Sequence, residues 1–210
     1  MVIITQKKTK PRSENDFYPT PYRLARAICD KFIVQEPDFV LDPGMGDGVF
    51  GLALRDSCRE KYGFIDTEEH PEFGIDGIDI VRRPMTGNGA WIYSNEYIQN
   101  YLTFDAPIQY DLVIGNPPYS LAEQFVRKSF QVTSKKGTII FLLKLAFLES
   151  KTRCRGLFKE LPPTEVNVLA GRPSFDGSGR TNDYAFAVFV WDKEEMMFSK
   201  ETKLFWFDWS

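Results

Sequence analysis

Apolar residues along this chain come in two rhythms, short unbroken runs and longer stretches at helical spacing, and the alternation of the two carries the first inference. Leu24, Ala27, Ile28 and Phe32 share one face of a helix opening near Thr20, with Thr20 as its N-cap and Pro21 in its first turn. "DFVLD" then reads as a buried strand ending at Asp42, "PGMGDG" as a turn, and "VFGLALRDSCREKYG" as a helix closed by Gly63. "FGIDGIDI" is a second strand; a loop spans 81–96, and a third strand lies near 97–100. "YDLVIG" is a strand, "LAEQFVRKSFQV" an amphipathic helix burying Leu121, Phe125 and Val126, and "GTIIFLL" another strand. "SKTRCRGLFKEL" predicts a helix stopped by Pro162 and Pro163. Strand, glycine turn and helix in succession open a doubly wound α/β sheet, mostly parallel, with helices on both faces.

The end of the chain departs from this rhythm. "EVNVLA" and "YAFAVFVW" are joined by the loop "GRPSFDGSGRTND" with no helix between them, which predicts an antiparallel hairpin at the sheet edge. The tail "KLFWFDWS" alternates as a strand does and reads as an added edge strand packing Trp206.

Composition narrows the classes. At 210 residues the chain suits one domain, and its net charge of −3 provides no overall basic field, so contact with nucleic acid has to come from local patches. Cys29, Cys58 and Cys154 are widely spaced and odd in number, which argues against a zinc site or a disulfide framework and for a reducing compartment. No apolar run reaches the ~20 residues of a membrane span, so a soluble cytoplasmic protein is expected. Residues 1–16, with Lys7, Lys8, Lys10 and Arg12, form a basic arm that is either a solvated tail or a phosphate-contacting segment.

Gly44, Gly46 and Gly48 follow a strand and precede a helix, where missing side chains let the backbone turn sharply and a ligand approach it. Val49 stands where a dinucleotide fingerprint needs glycine, and no Lys-Ser/Thr follows as a phosphate-cradling loop requires. Asp42 would repel a pyrophosphate here but suits a cationic amine, and Asp79 ends the second strand where a carboxylate can accept both hydroxyls of a ribose. Together they point to S-adenosylmethionine, an adenosine with a charged amino-acid tail. Taken alone, Asp42 reads equally as a capping carboxylate near the helix N-terminus.

"NPPY" at 116–119 ends a strand at the mouth of the sheet. Pro117 and Pro118 lack N–H groups and offer only carbonyls, and the Asn116 side chain adds an acceptor oxygen. Such a rim selects a planar amine that donates two hydrogen bonds. Its delocalised lone pair is a poor nucleophile; two acceptors, Asn116 and the Pro117 carbonyl, let the nitrogen pyramidalise toward a methyl donor while Tyr119 stacks on the planar group.

These residues resemble the N6-adenine DNA methyltransferases of the gamma motif order, and the likeness covers about residues 14–192. It implies a Rossmann-like class I methyltransferase fold, with a seven-stranded sheet and one antiparallel edge strand. Residues 17–192 become the catalytic domain, with 193–210 an aromatic tail or added strand and no separate target-recognition domain. "FYPTP" resembles the N-terminal cofactor motif, so that Tyr18, Thr20 and Pro21 approach the cofactor and Thr20 binds its carboxylate. "DPGMGDGVF" resembles the glycine-rich motif, with Asp42, Pro43, Gly44, Gly46, Gly48 and Phe50 around the cofactor and Asp79 on its ribose. The stretch from "KLAFLES" through "GRPSFDGSG" is similar to small phage and prophage adenine methyltransferases and places Phe175 as the aromatic that stacks on a flipped base. Arg172 and Arg180 beside it are candidates for phosphate contacts, or solvated loop charges.

Two departures from the pattern matter. Asn100 stands where relatives carry an aspartate on the cofactor adenine, and the 37 positions between Asp42 and Asp79 imply an insertion over 61–73 that contains His70. With about 18 residues after "YAFAVFVW", specificity is expected to be short, relaxed or supplied by a partner. The resemblance leaves three alternatives to DNA methylation: the same chemistry on RNA, on a protein glutamine amide, or a silent cofactor-binding subunit.

Overall fold

The computed structural model describes residues 17–63, 74–87, 92–175 and 183–209. The basic arm, most of the 61–73 segment with His70, and Arg180 lie outside the described residues. The first half of the chain follows its pattern. Helix α1 (Tyr22–Phe32) leads into strand β1 (Phe39–Pro43) and helix α2 (Val49–Tyr62), which closes on Gly63 in the left-handed conformation. Strands β2 (Gly74–Asp79), β3 (Asn95–Ile98) and β4 (Tyr110–Gly115) follow, then helix α3 (Ala122–Val132) and the long strand β5 (Thr133–Lys144). Two short helices, α4 (Lys151–Arg155) and α5 (Leu157–Glu160), precede strands β6 (Glu165–Leu169), β7 (Phe186–Asp192) and β8 (Lys203–Phe207). No helix of the described residues is long and apolar enough to cross a membrane.

All eight strands form one sheet in the order β3-β2-β1-β4-β5-β7-β6-β8. The chain moves outward from β1 through β2 to β3 and then returns to lay β4 on the other side of β1. The carboxyl ends of β1 and β4 therefore diverge into helices on either side of one crevice, the usual ligand position in an open α/β sheet. One apolar cluster lies on each face of the sheet, the first between it and α1/α2, the second between it and α3 and the short helices.

Six expectations change. β7 is antiparallel, but it is interior: it pairs with β5 on one side and β6 on the other, and β6 pairs in parallel with β8. The edge strand is β8, which makes eight strands where seven were expected. Within β8 the buried residue is Phe207, 5% exposed, whereas Trp206 is 72% exposed. Successive side chains point to opposite faces, and only the Phe207 side reaches α1, where its ring meets Phe32 edge-on at 5.5 Å. The helix expected over 150–161 breaks at Gly156 between α4 and α5. Leu121, expected on a buried helix face, belongs to a 3-10 turn before α3 and is exposed. Thr20 does not cap α1; Pro21 occupies the N-cap position without a side-chain bond, and the Thr20 hydroxyl serves elsewhere.

Phe207 anchors the edge strand, and Trp206 contributes little to folding. Phe207→Ala should lower the unfolding free energy by about 3–5 kcal/mol, as deleting a buried phenylalanine does. Trp206→Ala should change it by about 0.5 kcal/mol or less, as exposed substitutions do. Urea unfolding followed by tryptophan fluorescence or circular dichroism compares the two.

Candidate active site

The glycine turn after β1 has three residues at positive φ, Gly44 (78°), Gly46 (57°) and Gly48 (79°), a conformation in which side chains are strained. At Gly46 space requires glycine as well. A Cβ at Gly46 would stand 2.6 Å from the Phe17 ring, and one at Gly44 would touch Phe125, Pro118 and Pro117. The turn is thus pressed between the "FYPTP" segment and the "NPPY" segment, which the sequence separates by about a hundred positions.

Asp79 fastens this turn. Its carboxylate accepts the Gly46 and Val81 N–H groups, each at 3.0 Å, and pairs with Arg83 at 3.0 Å. The Arg83 guanidinium lies 4.3 Å from the Phe17 ring centre, so acid, cation and ring form a clamp beside the crevice. Each carboxylate oxygen has more than one lone-pair direction, which leaves Asp79 capacity for a ligand hydroxyl.

Asp42 lies beneath the turn, 1% exposed, and is not on the cavity wall. Oδ2 accepts the Tyr93 hydroxyl at 2.7 Å, while Oδ1 is buried without a hydrogen-bond partner among the described residues. Burial raises its pKa to about 7, against the lowering effect of the Tyr93 hydrogen bond, with the charges of Asp79 and Asp47 adding to the rise. A helix-capping role is not seen: α2 has Gly48 as N-cap with no side-chain bond.

Asn116 is oriented by the N-terminal segment. Its Nδ2 donates to the Tyr18 carbonyl (3.2 Å) and to the Thr20 hydroxyl (3.0 Å), which leaves Oδ1 buried and without a partner among the described residues. The following Pro118 carbonyl accepts Leu121 N–H at 2.9 Å and starts the 3-10 turn that carries Tyr119. The Tyr119 ring stacks on Tyr18 (5.3 Å, 24°) and meets Phe186. Tyr18 therefore covers one face of Tyr119, and a planar group stacks there only by displacing it.

Two cavities flank this motif. The larger, about 390 Å³, is lined by Phe17, Thr20, the Gly44–Gly46 turn, Phe50, Asp79, Asn100, Asn116 and Pro118, among others. The smaller, about 230 Å³, is lined by Tyr119, Lys144, Phe147 and Arg153, among others. Tyr18 and Ser120 line both.

Of the expected cofactor residues, the cavity gathers Tyr18, Thr20, Gly44, Gly46, Phe50, Asp79 and Asn100, while Pro21, Asp42, Pro43 and Gly48 sit behind its wall. Asn100 has its acceptor engaged: Oδ1 takes the Leu102 N–H and caps a short 3-10 turn. Phe175 lies in the core, 5% exposed, tilted on Phe186 at 4.9 Å and edge-on to Tyr18; it lines neither cavity. It backs the aromatic wall, packed against Phe186 of β7. Arg172 is exposed and lines neither cavity.

Sequence reasoning missed Arg83, Lys144 and Arg153. Lys144 left a trace, as the one cation interrupting the apolar run "GTIIFLLKLAFL". Arg153 left none, being one basic residue of several on a short helix.

No protein-family model matches the chain. It is 30% identical over 111 residues to the type II methyltransferase M.CvrRI of Paramecium bursaria Chlorella virus XZ-6E, a match spanning 52% of this chain and 26% of the viral protein. Among solved structures it superposes on a Listeria monocytogenes protein assigned to the class I S-adenosylmethionine-dependent methyltransferases (TM-score 0.69, 13% identity, 93% of this chain and 67% of that one). It also superposes on the type I restriction-modification methyltransferase subunit of Streptococcus thermophilus (TM-score 0.59, 15% identity, 91% and 47%). The chain thus spans about a quarter of the viral relative's length, and its architecture is the class I methyltransferase fold.

Proposed function

We propose that this protein transfers a methyl group from S-adenosylmethionine to the N6 amino group of adenine in DNA. The observation that carries the reading is the Asn116 amide. Both of its donor bonds are spent on Tyr18 and Thr20, so its oxygen stays buried and unpaired among the described residues, on a side chain that lines the larger cavity. An orphaned buried acceptor costs stability that a donor restores. An exocyclic amine is such a donor.

The residues present fit the cofactor. Asp79 is placed for a ribose, the Thr20 hydroxyl keeps its hydrogen for a carboxylate while accepting from Asn116, and Phe17 and Phe50 offer apolar surface. Asp42 acts through its charge from beneath the turn, favouring an ammonium group nearby. The cofactor supplies a methyl group on a positively charged sulfur. Asn116 Oδ1 and the Pro117 carbonyl hold the two amine hydrogens, and the ring of Tyr119, once Tyr18 moves aside, fixes the tilt of the base. As the nitrogen would take the methyl group, the carbon–sulfur bond pair would stay on the sulfur as a neutral thioether, and the two acceptors would stabilise the positive charge growing on nitrogen until one of its protons passes to water.

DNA is favoured as the carrier of adenine by the likeness to the viral type II methyltransferase and to a type I restriction-modification subunit. A duplex substrate would have its target base turned out of the stack into the smaller cavity. A partner chain supplying sequence specificity is compatible with this reading, given the likeness to a type I restriction-modification subunit.

Labelled S-adenosylmethionine offered to duplex DNA, single-stranded DNA, RNA and a protein extract decides among substrates. We expect label in N6-methyladenine of DNA, with Asn116→Ala reducing the rate by about 10²–10³, as loss of one transition-state hydrogen-bond partner does, while cofactor binding persists. Label confined to RNA or protein would overturn the assignment to DNA. A second expectation concerns pH. Because Asp42 has a pKa of about 7, it is mostly protonated below that value and charged above it. A cationic cofactor binds the charged form more tightly, so affinity should rise as pH increases from about 6 to 8 and then level off. Titration calorimetry on Asp42→Asn should show this rise abolished.

A further inference from the structure

Both edges of the sheet are open among the described residues, and they are built differently. An edge strand presents backbone N–H and C=O groups to any strand that fits, so chains that stay single blunt it with charge, brevity, proline or a bulge. β3 is blunted: it has four residues, opens on Asn95 and Glu96, and Glu96 pairs with Arg82 at 3.0 Å. β8 is not. It has no proline, keeps unbroken parallel register with β6, and carries no charge from Leu204 to Phe207. The charge at its start, Lys203, is taken by Glu195 at 2.6 Å.

The side chains along this edge are apolar on both faces. Leu204 and Trp206 lie level with Val166 and Val168 of β6, and Val166 belongs to the second apolar cluster. Phe205 lies on the opposite face with Phe207. Leu204, Phe205 and Trp206 are all exposed. The Lys203–Glu195 pair also draws in the 3-10 turn Glu195–Met197, so that Met197 and Phe198, the latter 85% exposed, stand beside the start of the strand. At ~200 Å² for a whole side chain, these five leave roughly 600 Å² open to water, the upper end of what a monomer exposes in one patch.

What fits this edge follows from the strand's own sequence. Directly opposed residues of an antiparallel pair share a face, so two copies of β8 that continue the sheet about a two-fold axis meet with one residue opposite itself. With the axis at Phe205, that ring meets Phe205 of the partner subunit on one face, and Leu204 meets the partner's Trp206 twice over on the other. An axis at Leu204 would set Trp206 against the partner's Thr202, and one at Trp206 would set Leu204 against the partner's Asp208. Covering both patches removes roughly 1,200 Å² in all, above the ~1,000 Å² of a specific interface. We infer that the protein forms a two-fold dimer through antiparallel pairing of β8, centred on Phe205. β8 runs in the same sense as β1, β4 and β5, and the axis reverses that sense in the second copy. The two crevices therefore open at opposite ends of the joined sheet.

Sedimentation equilibrium of the intact protein at micromolar concentration should give twice the 24.2 kDa of one chain. Phe205→Lys sets two like charges face to face on the axis; it should weaken association at least about a hundredfold and leave a monomer with an unchanged circular-dichroism spectrum. Register is read by cross-linking in a Cys154→Ser background, which removes the exposed thiol. Phe205→Cys should form an intermolecular disulfide under oxidised glutathione, whereas Lys203→Cys should not, because its two copies lie four positions apart along the pair. A wild type that sediments as one chain, a Phe205→Lys dimer as tight as wild type, or cross-linking no better at 205 than at 203 would overturn the inference. Where Phe205→Lys does not fold, the wild-type mass and the cysteine comparison decide. The unfolding comparison of Trp206→Ala with Phe207→Ala is made on the dissociated chain, at concentrations below the dimer's Kd.

Discussion

Two strand ends have to lie side by side at the centre of the sheet with a carboxylate between them, and the site depends on that approach. β1 ends at Asp42 and Pro43, and β4 ends at Gly115. A Cβ at Gly115 would stand 2.8 Å from Asp42 Oδ1, closer than real side chains come. The missing side chain at 115 is what lets an acid be buried at the crevice and lets Asn116 follow directly beside the glycine turn. A larger residue at 115 would press on the Asp42 carboxylate and on the Pro43 carbonyl.

The N-terminal segment completes the site from outside. Asn116 is aimed by the Tyr18 carbonyl and the Thr20 hydroxyl, Gly46 is covered by Phe17, and Tyr18 stacks on Tyr119. One stretch of five residues thus contacts the glycine turn, the amide and the aromatic wall. Its position is in turn set by α1, which packs against α2, the helix that leaves the glycine turn. Positioning of the chemistry and packing of the first apolar cluster are one problem, solved by the same helices.

Much of this was legible in the sequence where the signal is local. The strand, glycine turn and helix of residues 39–63 follow from period and punctuation, and Gly63 closes α2 in the left-handed conformation expected of such a residue. What depended on strand order was not legible. The helix-free link between β6 and β7 correctly indicated antiparallel pairing, yet nothing local shows that β7 inserts between β5 and β6. In β8 the alternation was visible but its parity was not: a shift of one position exchanges Trp206 for Phe207, and only packing against Phe32 selects between them. Phe175 shows the same limit at the site, since a loop aromatic can face a ligand or back the wall, and the neighbouring Phe186 settles it inward.

The two cavities share Tyr18 and Ser120 as a common wall, so occupancy of one bears on the other. Tyr18 holds three posts at once: its carbonyl orients Asn116, its ring covers Tyr119, and its face receives Lys144. The contact with Tyr119 is made by the ring, whereas the contact that aims the amide is made by the backbone carbonyl. The two duties are thus divided between side chain and main chain. Pro19 and Pro21 stand on either side of Thr20, and their fixed φ restrains the backbone that carries the Tyr18 acceptor for Asn116.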